Sequence, residues 1–256
     1  MSRIFITGST QGIGAECARQ LLELGHEVVL HARDAARAET AHGEHPGALA
    51  VVTGDLASIS QARDLASAAN EHGPYDVVIH NAGVGGGASE RSETADGLER
   101  IFHVNVVAPY VLTALMPVSP RMIYLTSGLE ADGVWTPEDL QWSTREWNGM
   151  QAYSDSKLHD SMLAVEVAAR HPESVVSVVD PGWIQTQLGG PDAWDPVELG
   201  AETQVWLATS DDPTATTSGQ YLKRHEVLEP NPMVKDADAR AALVAELERI
   251  TGVALP

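Results

Sequence analysis

Tyr153 and Lys157 lie four positions apart in the stretch QAYSDSKLHD, residues 151–160, with small polar residues between them. On a helix, residues i and i+4 share one face, so a phenol and an ammonium would lie side by side. Their ordinary pKa values are about 10 and about 10.4, so together they could hold or release a proton. The pattern fits two interpretations, an acid–base pair or a surface helix whose lysine stem lies over a ring.

A glycine-rich loop comes early in the chain, in TGSTQGIG, residues 7–14. Gly8, Gly12 and Gly14 separate a short β-rich run from a helical pattern. Such a loop lets a pyrophosphate approach the backbone and the N–H groups at the start of the helix. The chain has 16 Lys+Arg against 36 Asp+Glu, a formal charge of −20, which argues against nucleic acid and anionic membranes as partners. An anionic ligand would therefore need these N–H groups or a local cation.

The residues that end the second predicted strand distinguish two dinucleotides. A site for NAD(H) carries Asp or Glu there, on the adenosine ribose hydroxyls. The stretch VVLHARD instead places Ala32 at that position and Arg33 after it. An arginine suits a 2′-phosphate through charge-assisted hydrogen bonds, which favours NADP(H) over NAD(H). In the competing interpretation Asp34 contacts the ribose; otherwise Asp34 begins the next helix.

Strand and helix patterns alternate along most of the chain. The strands are unbroken apolar runs, which are typical of a parallel sheet covered by helices on both faces. We therefore expect a doubly wound α/β fold of about seven strands in three layers, as one domain over residues 1–256. Strands are predicted at 3–7, 27–32, 48–56, 75–83, 121–127, 174–182 and 219–222, and helices at 15–24, 58–73, 94–116 and 150–171. Ligands in such sheets bind beyond the carboxyl ends of the strands.

With these elements in place, the chain resembles the short-chain dehydrogenase/reductase family, single-domain type, over roughly residues 3–225. The family's motifs occur in the family's order: Gly8-x-x-x-Gly12-x-Gly14, Asp55–Leu56, HNAG at 80–83, Asn105, Ser127, Tyr153-x-x-x-Lys157 and DPGWIQT at 180–186. The resemblance implies a Rossmann-type fold, a nicotinamide cofactor, and hydride transfer between a carbonyl and an alcohol. The family commonly has Asn where His80 stands, at a position that is usually structural.

The resemblance also implies roles for individual residues. The catalytic tetrad would be Asn105, Ser127, Tyr153 and Lys157. The cofactor would be held by Gly8, Ser9, Gln11, Gly12, Ile13, Gly14, Arg33, Asp55, Leu56, Asn81, Ala82, Gly83, Tyr153, Lys157, Pro181, Gly182, Ile184 and Thr186. Asp55 would accept a hydrogen bond from the adenine, and the residues after Pro181 would hold the carboxamide. No metal site is expected.

Elementary chemistry agrees with that tetrad. Hydride addition to a carbonyl carbon builds negative charge on the oxygen, so a proton donor must stand there. Tyr153 would donate the proton, while Lys157 would lower the phenol's pKa by charge proximity and bind the nicotinamide ribose. Ser127 would donate to the substrate oxygen and orient it. Asn105 would anchor a water that links Lys157 to solvent.

Two segments would overhang the nicotinamide end of the cleft, an insertion at 128–149 and a substrate loop at 183–215. The insertion resembles that of retinol-dehydrogenase-like members of the family, as do the stretches DGLERIFHVN and AYSDSKL. That branch often handles apolar alcohols and carbonyls. The six tryptophans lie at positions 135, 142, 147, 183, 194 and 206, all within these segments. They would line an apolar or aromatic substrate pocket, or else pack the loops or a subunit contact.

These features predict an NADP(H)-dependent oxidoreductase that interconverts a ketone or aldehyde and an alcohol. The alternatives are an NAD-dependent alcohol dehydrogenase, a non-catalytic NADP-binding sensor on the same fold, and a related epimerase, dehydratase or dehalogenase. Cys17 is the single cysteine and no targeting or membrane-spanning segment is visible, so the cytoplasm is the expected location. Family members often assemble through the helices here at 94–116 and 150–171, so a dimer, a tetramer and a monomer all stay open.

Overall fold

The computed structural model describes residues 1–85 and 87–256, and its described strands form a single sheet. The strands are β1 Arg3–Ile6, β2 Glu27–Ala32, β3 Ala50–Thr53, β4 Val77–His80, β5 Arg121–Leu125, β6 Val175–Val179, β7 Gln220–Lys223 and β8 Glu226–Leu228. Their order across the sheet is β3-β2-β1-β4-β5-β6-β7-β8. Strands β1 to β7 run parallel, and β8 pairs antiparallel with β7. The predicted Rossmann-type doubly wound fold is therefore confirmed.

Helices cover both faces of the sheet. They are α1 Gly12–Glu23, α2 Ala35–Glu44, α3 Ile59–Asn70, α4 Arg100–Phe102, α5 Ala108–Leu115, α6 Gly149–Arg170, α7 Val197–Thr209 and α8 Ala237–Thr251. Helices α1, α2 and α7 pack on one face, and α3, α5, α6 and α8 on the other. Ile4 and Ile6 pack in the core under α1, α2 and α7, and Phe5 packs in the core on the opposite face, because side chains alternate along a strand. Among the described residues, no helix is both long and apolar enough to cross a bilayer.

The predicted helix at 94–116 is the largest local difference between sequence and structure. Regular helix begins only at Arg100, after a turn at Gly97. The Glu99 carboxylate caps this start by accepting hydrogen bonds from two backbone N–H groups. A π-helical turn at His103–Val107 then interrupts the helix before α5. Such turns are often found at functional sites, and this one carries Asn105.

Two further differences lie in the last third of the chain. Segment 183–215, expected as a loop, contains α7. Strand β8 and helix α8 have no counterpart among the predicted elements. The hairpin between β7 and β8 turns through Arg224 and His225, whose φ angles are +48° and +67°. Residues of this type seldom occupy a two-residue turn, which Asn and Gly favour, so the sequence carries no recognisable hairpin signal here.

Candidate active site

The glycine loop between β1 and α1 lies at the carboxyl edge of the sheet. Gly8 and Gly12 have φ angles of +63° and +57°, a region that favours glycine. A Cβ on Gly14 would lie 2.5 Å from the Gly8 carbonyl oxygen, so a larger residue would displace the loop. Gln11, at the N-cap of α1, makes no side-chain capping bond within the described residues. The loop thus offers a phosphate both close backbone approach and the positive end of α1.

The side chains of His31 and Asn81 hold the glycine loop by hydrogen bonds. His31 Nδ1 accepts a hydrogen bond from the Gly8 N–H at 2.9 Å, and its Nε2 donates to the Gly54 carbonyl at 2.8 Å. Burial lowers the pKa of His31, which keeps the ring in the neutral form that this arrangement needs. Asn81 Nδ2 donates to the Thr7 carbonyl at 2.9 Å. The sequence analysis did not identify His31 as a residue of this site. The feature that could have indicated it is a polar residue within the apolar run of β2.

Most of the predicted cofactor residues line one long cleft. The cleft encloses about 1230 Å³, more than the roughly 300–1,000 Å³ usual for small-ligand pockets, so a dinucleotide and a substrate would fit together. The predicted residues on its wall are Gly8, Gln11, Gly12, Ile13, Gly14, Arg33, Asp55, Leu56, Asn81, Ala82, Gly83, Tyr153, Lys157, Pro181 and Thr186. Ser9, Gly182 and Ile184 do not line the cleft: Ser9 and Ile184 are buried, and the Ser9 hydroxyl ties β1 to β2.

Two arginines stand at the end of the cleft beside β2. Arg33 and Arg37 both line the cleft, with side chains 50% and 38% exposed. Asp34 lies between them and caps α2, accepting a hydrogen bond from the Arg37 N–H at 2.9 Å. That bond, with smaller contributions from both guanidinium groups, lowers the pKa of Asp34. Asp34 therefore begins the helix, and Arg37 is a second cation that the sequence reasoning did not identify.

Tyr153 and Lys157 lie one turn apart on α6 and are almost fully buried, with 7% and 3% exposure. Lys157 Nζ donates to the Leu125 carbonyl at 2.5 Å, and burial lowers the lysine's pKa. Burial raises the pKa of Tyr153 to about 12, and the Ser127 side chain opposes part of that rise. The sequence pattern predicts a lowered phenol pKa, whereas in the structure loss of solvation, with smaller contributions from Asp180 and Asp160, raises it.

Asn105 joins three parts of the site. Its Oδ1 accepts a hydrogen bond from the Val84 N–H at 2.8 Å, and its Nδ2 donates to the Val84 carbonyl at 2.9 Å. The same Nδ2 donates to Ser156 Oγ on α6 at 2.9 Å. Both amide hydrogens are thus used by the protein, and only the oxygen has a lone pair left. Asn105 fixes the loop after β4 against the helix that carries Tyr153.

The insertion at 128–149 is tied to α6 through one arginine. Arg145 lies 3.3 Å from Asp139 Oδ2 and 3.2 Å from Asp155 Oδ2. The side chains of these aspartates are only 4% and 2% exposed and that of Arg145 is 26% exposed, so both ion pairs are largely shielded from solvent on their carboxylate side. The insertion is therefore packed against α6, the helix that carries Tyr153 and Lys157.

The tryptophans of the two overhanging segments behave differently. Trp142 and Trp147, from the insertion, pack edge to face with ring centroids 5.8 Å apart, in one cluster with Tyr153. Trp183 and Trp194, from the loop after β6, also pack edge to face at 4.5 Å. They remain 41% and 68% exposed. The first pair supports Tyr153 by packing, while the second presents aromatic surface to solvent.

The loop after β6 is attached to the β7–β8 hairpin. Asp180 accepts a hydrogen bond from the Gly182 N–H at 2.9 Å and pairs with Lys223 Nζ at 2.7 Å. Arg224 pairs with Asp195 at 2.6 Å on the far side of the same loop. The hairpin that the sequence did not predict therefore anchors the predicted carboxamide-binding segment.

Proteins similar to this chain match it over nearly its whole length. A family model described as short chain dehydrogenase matches residues 2–194. The short-chain dehydrogenase chry4 of Gibberella zeae is 38% identical, with 100% of this chain and 99% of that protein covered. Human retinol dehydrogenase 13 is 31% identical, covering 99% and 85% respectively. A solved protein from Mycobacterium paratuberculosis has a TM-score of 0.87 and 27% identity, covering 100% of this chain and 95% of that one.

These matches agree with the motif order in the sequence. The family model covers the glycine loop, the tetrad positions and the loop after β6. Similarity to a retinol dehydrogenase also agrees with the resemblance of the insertion to that branch. The chain belongs to the short-chain dehydrogenase/reductase family of oxidoreductases.

Proposed function

We propose that the protein is an NADP(H)-dependent oxidoreductase that interconverts a ketone or aldehyde and an alcohol. One observation carries the proposal: Tyr153, Lys157, the glycine loop and the arginine pair all lie on the wall of one cleft. A proton donor at one end and cations at the other, with a phosphate cradle between them, are the groups that such a reaction needs.

The residues present fit a nicotinamide dinucleotide. The glycines let the loop pack tightly against its surroundings, because a Cβ on Gly14 would meet the Gly8 carbonyl oxygen, and this brings the backbone N–H groups at the start of α1 to the cleft. Asp55 would bind the adenine, and Asn81–Gly83 would lie along the adenosine ribose. Lys157 would hold the nicotinamide ribose, and the segment 181–186 its carboxamide. When bound, the nicotinamide supplies or takes up the hydride.

The proton is handled by Tyr153. Its pKa of about 12 keeps the phenol protonated at neutral pH, ready to donate as charge develops on the carbonyl oxygen. The Lys157 ammonium, one turn away, would stabilise the phenolate that results. Ser127 Oγ accepts a hydrogen bond from the Leu129 N–H at 3.3 Å, so its own proton would be shared between the Tyr153 oxygen and the substrate oxygen. In alcohol oxidation the same groups would work in reverse.

The preference for NADP(H) rests on Arg33 and Arg37. Both side chains reach the cleft beside β2, and the Asp34 carboxylate that could bind ribose hydroxyls is occupied in capping α2. In a chain with a formal charge of −20, two cations at one point favour a ligand that brings a phosphate there.

The proposed substrate is apolar or aromatic. Trp183 and Trp194 expose their rings on the loop after β6, and Leu188 of the same loop lines the cleft while remaining 39% exposed. Exposed apolar side chains on the loop beside the cleft favour a ligand of matching character.

A carbonyl panel tests the proposal. Small aliphatic and bulky aromatic ketones and aldehydes are offered with NADPH and with NADH, and oxidation is followed at about 340 nm, the nicotinamide band. We expect turnover with NADPH and a higher kcat/KM on the aromatic members. Preference for NADH would contradict the arginine argument. Tight NADPH binding without turnover on any carbonyl or alcohol would favour the sensor.

Replacing the proton donor tests the mechanism. Tyr153→Phe removes one hydroxyl from a buried ring, and we expect kcat to fall by about 10²–10⁴-fold. NADPH affinity, measured by fluorescence, should change little, because the ring and Lys157 remain. A variant that keeps wild-type kcat would show that Tyr153 is not the proton donor.

A further inference from the structure

Asp160 is a buried carboxylate one helical turn beyond Lys157. Its Oδ2 lies 3.7 Å from Lys157 Nζ, and each side chain is 4% exposed. Its Oδ1 is also buried and has no hydrogen-bond partner within residues 1–85 and 87–256. A buried carboxylate with an unsatisfied oxygen is costly unless a charge and a further donor compensate it. The mechanism proposed above does not use this group.

A small cavity lies next to Asp160. Asn105, His80 and Thr7 line it together with Asp160, and the remaining wall is apolar. It has room for about one water molecule, and a buried water needs two to four polar partners, which these side chains provide. Asp160 Oδ1 and His80 Nδ1 are both without a partner among the described residues. The cavity is therefore suited to a water that donates to the carboxylate.

We propose that Asp160 is a positioning residue that keeps Lys157 protonated, acting directly through one oxygen and holding a cavity water with the other. This inference rests on the proposed function, because it assigns Lys157 to the cofactor. Burial lowers the pKa of Lys157, and Asp160 is the group that opposes this shift. Burial likewise raises the pKa of Asp160 to about 7, against the effect of Lys157.

The other titratable groups that face Asp160 do not carry positive charge at neutral pH. His80, at the end of β4, has its pKa lowered by burial to about 3 and is neutral. Tyr124 on β5 and Tyr153 on α6 have raised pKa values, chiefly through burial and in smaller part through Asp160. Among the residues described, Lys157 is therefore the cation that Asp160 pairs with.

The Lys157–Asp160 pair predicts the direction in which the pH dependence of NADPH affinity should change. Above about pH 7, Asp160 is ionised and favours the ammonium form of Lys157; below it, the carboxyl is neutral. Asp160→Asn is neutral at every pH, so its lysine should lose the proton at a lower pH than in the wild type. The affinity for NADPH, which uses the ammonium, should then decline earlier on the alkaline side.

The experiment measures the Kd of NADPH by fluorescence between about pH 6 and pH 10, the range over which the pair titrates. At about pH 6 the variant and the wild type should agree within about twofold. The alkaline decline should lie about one pH unit lower in Asp160→Asn. Asp160→Ser, which leaves space for a second water, should show the same shift and gives a second chance of a folded variant.

Asp155→Asn is the matched control, since Asp155 is also buried on α6 but pairs with Arg145. It should lower the melting temperature without moving the pH at which NADPH affinity declines. Identical pH profiles for the wild type and both Asp160 variants would overturn the proposal, as would an equal shift in Asp155→Asn.

The binding readout separates this inference from the proposed function. A shifted profile without turnover on any carbonyl would support Asp160 and refute the oxidoreductase. An unshifted profile with normal turnover would do the reverse. NADPH that binds at no pH would overturn both.

Discussion

Single residues of this site are governed by burial. The sequence suggests a phenol whose pKa is lowered by an adjacent ammonium, yet burial raises the pKa of Tyr153 and lowers that of Lys157. Both shifts favour the neutral forms, because a low-dielectric environment penalises phenolate and ammonium alike. Asp160 opposes the shift of Lys157, and positive charge brought into the cleft would favour the phenolate. In this structure the Tyr153 phenol is therefore held in its protonated form.

The arginine pair gives a prediction at this scale. In Arg33→Ala and Arg37→Ala, we expect the KM for NADPH to rise by about tenfold or more, through loss of a charge-assisted hydrogen bond. The KM for NADH should stay unchanged, since it has no 2′-phosphate. Steady-state kinetics with both cofactors measure this. Arg249→Ala, an exposed arginine on α8, is the control, and equal losses with both cofactors would refute the assignment.

At the scale of elements, α6 is where the site is assembled. It carries Tyr153 and Lys157. Its Ser156 accepts a hydrogen bond from Asn105 of the π-helical turn, and its Asp155 pairs with Arg145 of the insertion. Asn105 reaches Ser156 across 51 positions of sequence. The helix is therefore positioned by long-range polar contacts as well as by its apolar packing.

Arg145→Ala tests the attachment of the insertion. The substitution leaves Asp139 and Asp155 buried without their shared cation, so the free energy of unfolding should fall by about 3–5 kcal/mol. Equilibrium denaturation measures the loss. Arg249→Ala removes an exposed pair with Glu246 and should change stability little. A loss in Arg145→Ala no larger than in that control would show that the insertion does not depend on this arginine.

The whole molecule is strongly anionic. Its formal charge of −20 opposes a compact state through self-repulsion. Against this negative background, Arg33 and Arg37 form a local positive site beside the cleft. Most cations of the described chain are paired with carboxylates, as Arg145 and Arg224 are, so the surface keeps its negative excess.

This repulsion should be visible in stability. We expect the melting temperature to rise as NaCl increases from about 10 mM to about 300 mM, because screening shortens the Debye length from about 30 Å to less than about 8 Å. An uncharged osmolyte at the same osmolality is the control for effects unrelated to charge. A melting temperature that falls with salt would mean that attractive ion pairs outweigh the net charge.

The sequence by itself predicted the positions that would bear the chemistry, and it determined the alternation of elements. The glycine spacing, the Tyr153–Lys157 pair and the apolar strand runs are local patterns, since they depend on neighbours within a turn or a strand. The strand that ends at Ala32 has the predicted bounds for the same reason. What local patterns could not show is where a helix is interrupted by its surroundings, as at His103–Val107.

The tertiary structure alone decided what surrounds those positions. Three contacts depend on segments that are brought together only by the fold. They place His31 against the glycine loop, Arg37 on the cleft wall with Arg33, and Asp160 next to Lys157. Packing also assigned one tryptophan pair to the support of Tyr153 and left the other exposed. The physical reason is that solvation sets pKa values and free surface, and solvation depends on the whole fold rather than on any stretch of sequence.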